Sequence, residues 1–62
     1  MKTNELLKLL KQDGWMLKVQ KGSHMQFVHP IKSGKVTVSF HGANEDVHPK
    51  TLKSIKNQAG WK

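Results

Sequence analysis

The fold of this chain is decided by residues 15–28, which read WMLKVQKGSHMQFV. Apolar and polar side chains alternate on each side of Gly22-Ser23, and this period of two is typical of half-buried strands. We therefore predict a first strand from Trp15 to Gln20, a turn at Gly22-Ser23, and a second strand from His24 to His29 that Pro30 ends. The side chains predicted to face the core are Trp15, Leu17, Val19, Met25 and Phe27.

The same alternation returns a few residues later. Lys32-Ser33-Gly34-Lys35 has the composition of a hairpin tip. Residues Lys35–Phe40 then alternate again, with Val36, Val38 and Phe40 predicted to face inward. Three strands joined by short turns predict an antiparallel meander.

Amphipathic helices flank the meander. Leucines recur at helical spacing between Thr3 and Asp13, Thr3 or Asn4 can cap the start, and Gly14 stands where a left-handed residue ends a helix. After a polar loop over residues 41–48, Pro49 fits the first position of a second helix.

The second helix carries Leu52, Ile55 and Ala59 on one side and stops at Gly60, which leaves Trp61 to fold back onto its last turn. We predict an α+β fold of order α-β-β-β-α, in which a three-stranded antiparallel sheet carries two helices on one face. We expect residues 1–62 to form a single domain. The order of elements is that of double-stranded-RNA-binding domains.

The composition of the chain favours some classes of function and excludes others. The chain has 62 residues, with eleven lysines against four acidic residues, a net charge of +7 and a sequence pI near 10.1. Positive charge at this density predicts a polyanionic ligand. The absence of cysteine excludes disulfides, a thiolate zinc site and a catalytic cysteine. No apolar run suits a transmembrane or signal segment, so we expect a soluble, cytoplasmic protein with no membrane partner.

Side-chain parity assigns a polar set to the face of the sheet opposite the core, called the open face below. Its predicted members are Lys18, Gln20, His24, Gln26, Thr37 and Ser39. The turn Lys21-Gly22-Ser23-His24 combines a lysine, a hydroxyl and a glycine that accepts a positive φ, which suits a phosphate. The alternative is that Gly22-Ser23 is merely a hairpin turn and His24 a surface residue.

One histidine and several lysines suffice for RNA cleavage. Histidine exchanges protons near neutral pH, and RNA supplies its own nucleophile in the 2′-hydroxyl. We therefore predict His24 as the proton carrier, with no cofactor. The predicted RNA-binding residues are Lys18, Lys21, Gly22, Ser23, Lys35, Lys50 and Lys53, although any of these lysines has the alternative of a solubilising charge. Because arginine is absent, we expect loose sequence preference and strongly salt-dependent binding.

Four histidines raise the alternative of a metal site: His24, His29, His41 and His48. His24 and His29 differ by an odd number, so they point to opposite faces of one strand and cannot easily share an ion. Glu45 and Asp46 form no compact ligand spacing with the later histidines. We expect activity that needs no metal.

Several short motifs follow one another along nearly the whole chain. After the leucine-rich helix they are Asp13-Gly14-Trp15, Lys21-Gly22-Ser23-His24 followed by Phe27, Val36-Thr37-Val38, His41-Gly42, and Thr51-Leu52-Lys53-Ser54-Ile55 running into Gln58-Ala59-Gly60. In this order and spacing the chain resembles the HicA family of toxins from HicA–HicB toxin–antitoxin systems.

The resemblance implies a double-stranded-RNA-binding-like fold and a ribosome-independent endoribonuclease activity on mRNA that arrests translation. In the family the histidine of the Gly-Ser-His motif is catalytic, and it corresponds to His24. His41 matches a second frequent histidine whose role the motif does not fix. The implied partners are RNA and a HicB-type antitoxin, and we expect no DNA binding by the chain alone.

Two other functions fit the charge and the fold. A non-catalytic module for structured RNA would set Lys50, Lys53 and Lys56 of the second helix against phosphates, and it would not require His24. A protein-interaction domain would dock an acidic partner on its basic surface, which overlaps with antitoxin binding. Trp15 could stack on a base, but its parity favours the core.

Overall fold

The computed structural model describes residues 1–61, and its helices and strands follow the predicted order. They are α1 (Thr3–Gln12), β1 (Met16–Lys21), β2 (His24–Val28), β3 (Val36–Ser39) and α2 (Pro49–Ala59). The strands form an antiparallel sheet in the order β1-β2-β3, so β1 and β3 are its edges. Within residues 1–61, no helix has the length and apolar character needed to cross a membrane.

Both helices pack on the same face of the sheet. The core joins Leu6 and Leu10 of α1 to Ile55 and Ala59 of α2. Its remaining buried members are Trp15, Phe27, Val36 and Val38. The predicted α+β architecture is therefore confirmed, as is the assignment of Trp15 to the core, where it is 2% exposed.

The start of α1 differs from the prediction. Lys2 is the N-cap residue, and its main-chain N–H donates to Glu5 Oε1 at 3.0 Å, so neither Thr3 nor Asn4 caps the helix. The hydroxyl of Thr3 instead donates to the carbonyl of Glu45 at 3.0 Å. This long-range bond ties the loop after β3 to the beginning of the chain, and sequence patterns report only local capping.

A β-bulge in β1 overturns part of the predicted face assignment. Leu17 pairs with Phe27, but Val19 pairs with Gln26, so Lys18 between them has no partner in the register. The extra residue reverses the alternation for the rest of the strand. Val19 therefore shares the open face with Gln26 and is 37% exposed, instead of facing the core.

The bulge also changes the surroundings of three neighbours. Gln20, predicted on the open face, pairs with Met25 and lies on the core side. Lys18, also predicted there, lies at the bulge itself. Leu17 keeps the core side but is 48% exposed, because it lies on an edge strand.

The connection between β2 and β3 spans residues 29–35 and is longer than the predicted tip at Lys32-Ser33-Gly34-Lys35. His29 leaves the strand, and its Nδ1 accepts the main-chain N–H groups of Ile31 and Lys32, each at 3.0 Å. The imidazole thus organises a loop where the sequence indicated a tight turn. β3 is correspondingly shorter than predicted, since residues 35 and 40 lie outside it.

Candidate nucleic-acid interface

His24 begins β2 at the closed end of the first hairpin. In the sheet register it lies between Lys21 of β1 and Ser39 of β3, and residues paired across an antiparallel sheet share a face. Its side chain is exposed on the open face and takes part in none of the hydrogen bonds found within residues 1–61. A histidine in this setting is accessible for proton exchange with a ligand.

Hydrogen bonds from β1 and from the residue after β3 hold the turn before His24 in place. Gly22 has a φ of 57°, and Ser23 has no positive φ, which is the pattern of a type II′ hairpin turn. Gln20 Nε2 donates to the carbonyl of Gly22 at 3.2 Å, and the Phe40 N–H donates to the carbonyl of Ser23 at 2.6 Å. The main chain therefore presents the hairpin end of the open face from a well-anchored position.

The open face has two different ends. Its hairpin end carries Lys21, His24 and Ser39, which are all exposed. Its far end carries Met16 and Val28, which pair with each other. The hairpin end thus combines a lysine with a histidine, and the far end is apolar.

The lysines predicted to bind RNA do not form one cluster. Lys21 pairs with His24, and Lys18 is exposed on the same strand at the bulge. Lys35 precedes β3, whose first residue, Val36, pairs with Phe27. Lys35 is therefore level with the end of β2, about four residues or roughly 13 Å along the sheet from His24.

Lys50 and Lys53 are exposed on α2. This helix packs on the core face, and its Gln58 Oε1 accepts the N–H of Thr37 at 3.0 Å on the outer side of β3. The structure therefore places Lys21, Gly22 and Ser23 directly beside His24. The α2 lysines belong to a separate surface.

The later histidines have different surroundings. His48 is the N-cap of α2, and its Nδ1 accepts the N–H of Lys50 at 3.1 Å. His41 is exposed and, with Ser39 and Thr51, lines a cavity of about 350 Å³ between the end of β3 and the start of α2. Across residues 1–61, no three His, Cys, Asp or Glu side chains gather as a metal site.

Sequence reasoning missed a polar cluster at the far end of β2. Asp13 Oδ2 accepts the indole N–H of Trp15 at 2.9 Å, the indole N–H of Trp61 at 3.0 Å, and the ammonium of Lys32 at 2.7 Å. These bonds, led by the one from Lys32, lower the pKa of Asp13 to about 2 because each stabilises the carboxylate form. Of the three contacts, the one between Asp13 and Trp15 joins residues close in sequence, and the Asp13-Gly14-Trp15 motif contains both of them.

The Asp13 cluster also fixes His29. The main-chain carbonyl of Asp13 lies 2.6 Å from His29 Nε2. Because Nδ1 of this ring accepts two main-chain N–H groups, Nε2 carries the proton and donates to that carbonyl. Lys32 completes the cluster by donating to the carbonyl of Ala59 at 3.2 Å, where a cation suits the C-terminal end of a helix.

Fold and site together define a small, basic protein built like a double-stranded-RNA-binding domain, with one unbonded histidine on its open face. The family model described as the HicA toxin of bacterial toxin-antitoxin systems matches residues 3–61. The chain therefore belongs to the HicA toxin family, and its role is that of a toxin with an antitoxin partner. A search of curated proteins gives no match.

Proposed function

We propose that this toxin is a ribosome-independent endoribonuclease that cleaves mRNA in the cytoplasm, arrests translation, and is neutralised by a HicB-type antitoxin. The observation that carries the proposal is the position of His24, exposed on the open face between Lys21 and Ser39. Of the other histidines, His29 and His48 bond to main-chain groups, and His41 is exposed beside the cavity between β3 and α2, not paired with Lys21. His24 is accessible to a substrate that spans the open face.

The chemistry needs a proton carrier beside a phosphodiester. The 2′-oxygen of RNA forms a bond to the adjacent phosphorus, and the bond from phosphorus to the 5′-oxygen breaks. Neutral His24 accepts the 2′-hydroxyl proton while water protonates the leaving 5′-oxygen, or protonated His24 donates to the leaving 5′-oxygen while water takes the 2′-hydroxyl proton. Either role contributes about 10²–10⁴ in rate. The products are a 2′,3′-cyclic phosphate and a 5′-hydroxyl, and no metal is required.

Lysines supply the charge that holds the substrate. Lys21 lies next to His24 in the register and is the best placed to contact the phosphate being cleaved. Lys18, Lys35, Lys50 and Lys53 are exposed at greater distances and extend the basic surface along the RNA. Each phosphate neutralised on a single strand adds about 0.7 to the slope of log affinity against log salt.

The test is cleavage of a labelled RNA in EDTA by the parent protein, His24→Ala and His41→Ala. His41 is the control for loss of an exposed imidazole, because it follows Phe40 near the hairpin turn but lines the cavity beside α2 and is not paired with Lys21 in the sheet. We expect cleavage by the parent and by the control, and binding without cleavage by His24→Ala. Cleavage that requires a divalent ion, or that survives the loss of His24, would overturn the mechanism.

A second candidate is a non-catalytic module for structured RNA. It is favoured by the exposed lysines of α2, Lys50 and Lys53, which lie away from His24. If it is correct, RNA remains intact with every protein, and charge removal on α2 weakens binding more than His24→Ala does. Mobility-shift and cleavage assays on the same samples separate the two functions.

A further inference from the structure

The two edges of the sheet are protected differently. At β3, Gln58 of α2 accepts an outward N–H from Thr37 at 3.0 Å. At β1, no hydrogen bond found within residues 1–61, apart from those of the sheet itself, involves a main-chain group of Met16–Lys21. An unpaired edge strand offers a row of N–H and C=O groups to another chain.

Exposed apolar side chains accompany this unpaired edge. Met16 is 57%, Leu17 48% and Val19 37% exposed, and all three lie on β1. An edge strand protected solely by charge would carry polar residues at these positions. The edge therefore has the composition of a binding surface.

An apolar groove runs beside the same edge, between β1 and α1. It has a volume of about 380 Å³ and is called the β1 groove here. Its lining includes Leu7, Lys11, Trp15, Leu17, Met25 and Phe27. Alternate side chains of a strand added to β1 would point toward the core side of the sheet, where this groove lies.

The charge around the groove is positive, which favours some occupants over others. Lys11 lines the groove, Lys18 is exposed at the bulge, and Lys21 ends the strand. A second copy of the chain would bring another net charge of +7 to the same edge. Charge complementarity therefore favours an acidic segment of a different protein.

We infer that an extended, acidic segment of the antitoxin pairs with the β1 edge and inserts alternate apolar side chains into the β1 groove. The inference rests on that part of the proposed function which gives the toxin a protein antitoxin, and it does not depend on RNA cleavage. The bulge at Lys18 restricts main-chain pairing to short lengths on either side of it. Side chains in the groove therefore supply much of the affinity.

The test uses a synthetic peptide of about ten residues that alternates glutamate with leucine or valine, a length that covers β1. Its binding to the full chain is followed by amide NMR shifts. We expect the shifts to centre on residues 16–21 and the groove lining. Two further peptides are N-methylated on one or the other set of alternate amides, and strand pairing requires that one set abolish binding while the other preserves it.

Leu17→Lys and Ile31→Lys are matched variants, since both add one charge at an exposed apolar residue and Ile31 is 88% exposed outside the groove lining. We expect Leu17→Lys to weaken peptide binding about tenfold and Ile31→Lys to leave it nearly unchanged. Equal effects, shifts centred on His24, or equally tight binding of a peptide with lysine in place of glutamate would each overturn the inference.

Two other measurements separate failure of this inference from failure of the proposed ribonuclease activity. Self-association that Leu17→Lys abolishes would assign the edge to a second copy and overturn the acidic partner. RNA cleavage by Leu17→Lys, assayed separately, tests the proposed ribonuclease without reference to the peptide.

Discussion

His24 and His29 lie at the two ends of β2, and they differ in almost every physical respect. His24 begins the strand on the open face, and its exposed side chain makes no hydrogen bond in the described part of the chain. His29 follows the strand, accepts two main-chain N–H groups and donates to the carbonyl of Asp13. The same residue type is therefore exposed with an unbonded side chain at one end of the strand and structural at the other.

The difference shows that hydrogen bonding decides what a histidine can do. All three bonds of His29 require the neutral ring with the proton on Nε2, so neither ring nitrogen is left to contact a ligand. His24 carries no such requirement.

The largest expected effect is on catalysis at His24. His24→Ala should lower RNA cleavage at least about 10²-fold, because a positioned proton carrier is lost, while the free energy of unfolding stays within about 0.5 kcal/mol, since the side chain is exposed. Initial cleavage rates and urea denaturation on the same preparations measure both quantities. A drop in stability that matched the loss of activity would assign His24 to the fold.

The reverse pattern is expected at the other end of the strand. His29→Ala should lower the free energy of unfolding by about 3 kcal/mol, since it removes three hydrogen bonds of about 1 kcal/mol each and an edge contact with Trp15 at 5.1 Å between ring centroids. Urea denaturation beside His41→Ala, which removes an exposed ring, gives the comparison. A variant as stable as this control would contradict the structural role.

Gly14 sharpens the comparison, because a side chain at this position would meet the ring of His29. A Cβ added at Gly14, whose φ is +101°, would lie 2.8 Å from His29 Nε2, whereas one added at Gly34, whose φ is +88°, would meet nothing within 4 Å. We expect Gly14→Ala to cost about 2 kcal/mol and Gly34→Ala about 1 kcal/mol, the backbone strain alone. Equal losses in chemical denaturation would show that the ring moves aside freely.

The smallest effect concerns pH and the Asp13 carboxylate. Its pKa in the folded chain is about 2, below the ordinary value of 3.8, so its contribution to stability is present above about pH 4 and is lost as the pH falls toward 2. Asp13→Asn should lower the melting temperature at neutral pH, and the gap from the parent should close on acidification.

Asp46→Asn is the control for that experiment, because it removes an ion pair with Lys2 at 3.3 Å whose side chains are 72% and 47% exposed. Melting temperatures measured from pH 7 to about pH 2 follow the titration window of Asp13. A gap between parent and Asp13→Asn that stays constant with pH would show that the hydrogen bonds, and not the charge, stabilise the fold.

The sequence predicted most of the architecture because the hydrophobic periods are strong. In β2 the alternation holds throughout. His24 and Phe27 are an odd number of residues apart, so the open-face position of His24 follows from the core position of Phe27. In β1 the same reasoning is wrong after Leu17, since a bulge leaves no mark in a period of two. The assignments of Val19 and Gln20 were therefore wrong, although the strand itself was predicted.

The Asp13 cluster was out of reach for a different reason. Its carboxylate bonds residues two, 19 and 48 positions away, and these partners come together only in the folded chain. The same holds for Thr3, which bonds to distant Glu45 while Lys2 is the N-cap of α1. Short-range patterns predict elements, and the bonds that connect distant elements require the tertiary structure.

The shared carboxylate of Asp13 has an optical consequence. The chain has two tryptophans and no tyrosine, and both indoles donate to this one side chain. Their fluorescence therefore reports on the folding of the Asp13 cluster without a label. Trp15 also lines the β1 groove, whereas neither indole belongs to the hairpin end of the open face. One emission spectrum should thus respond to an occupant of the groove and remain unchanged when RNA binds at His24.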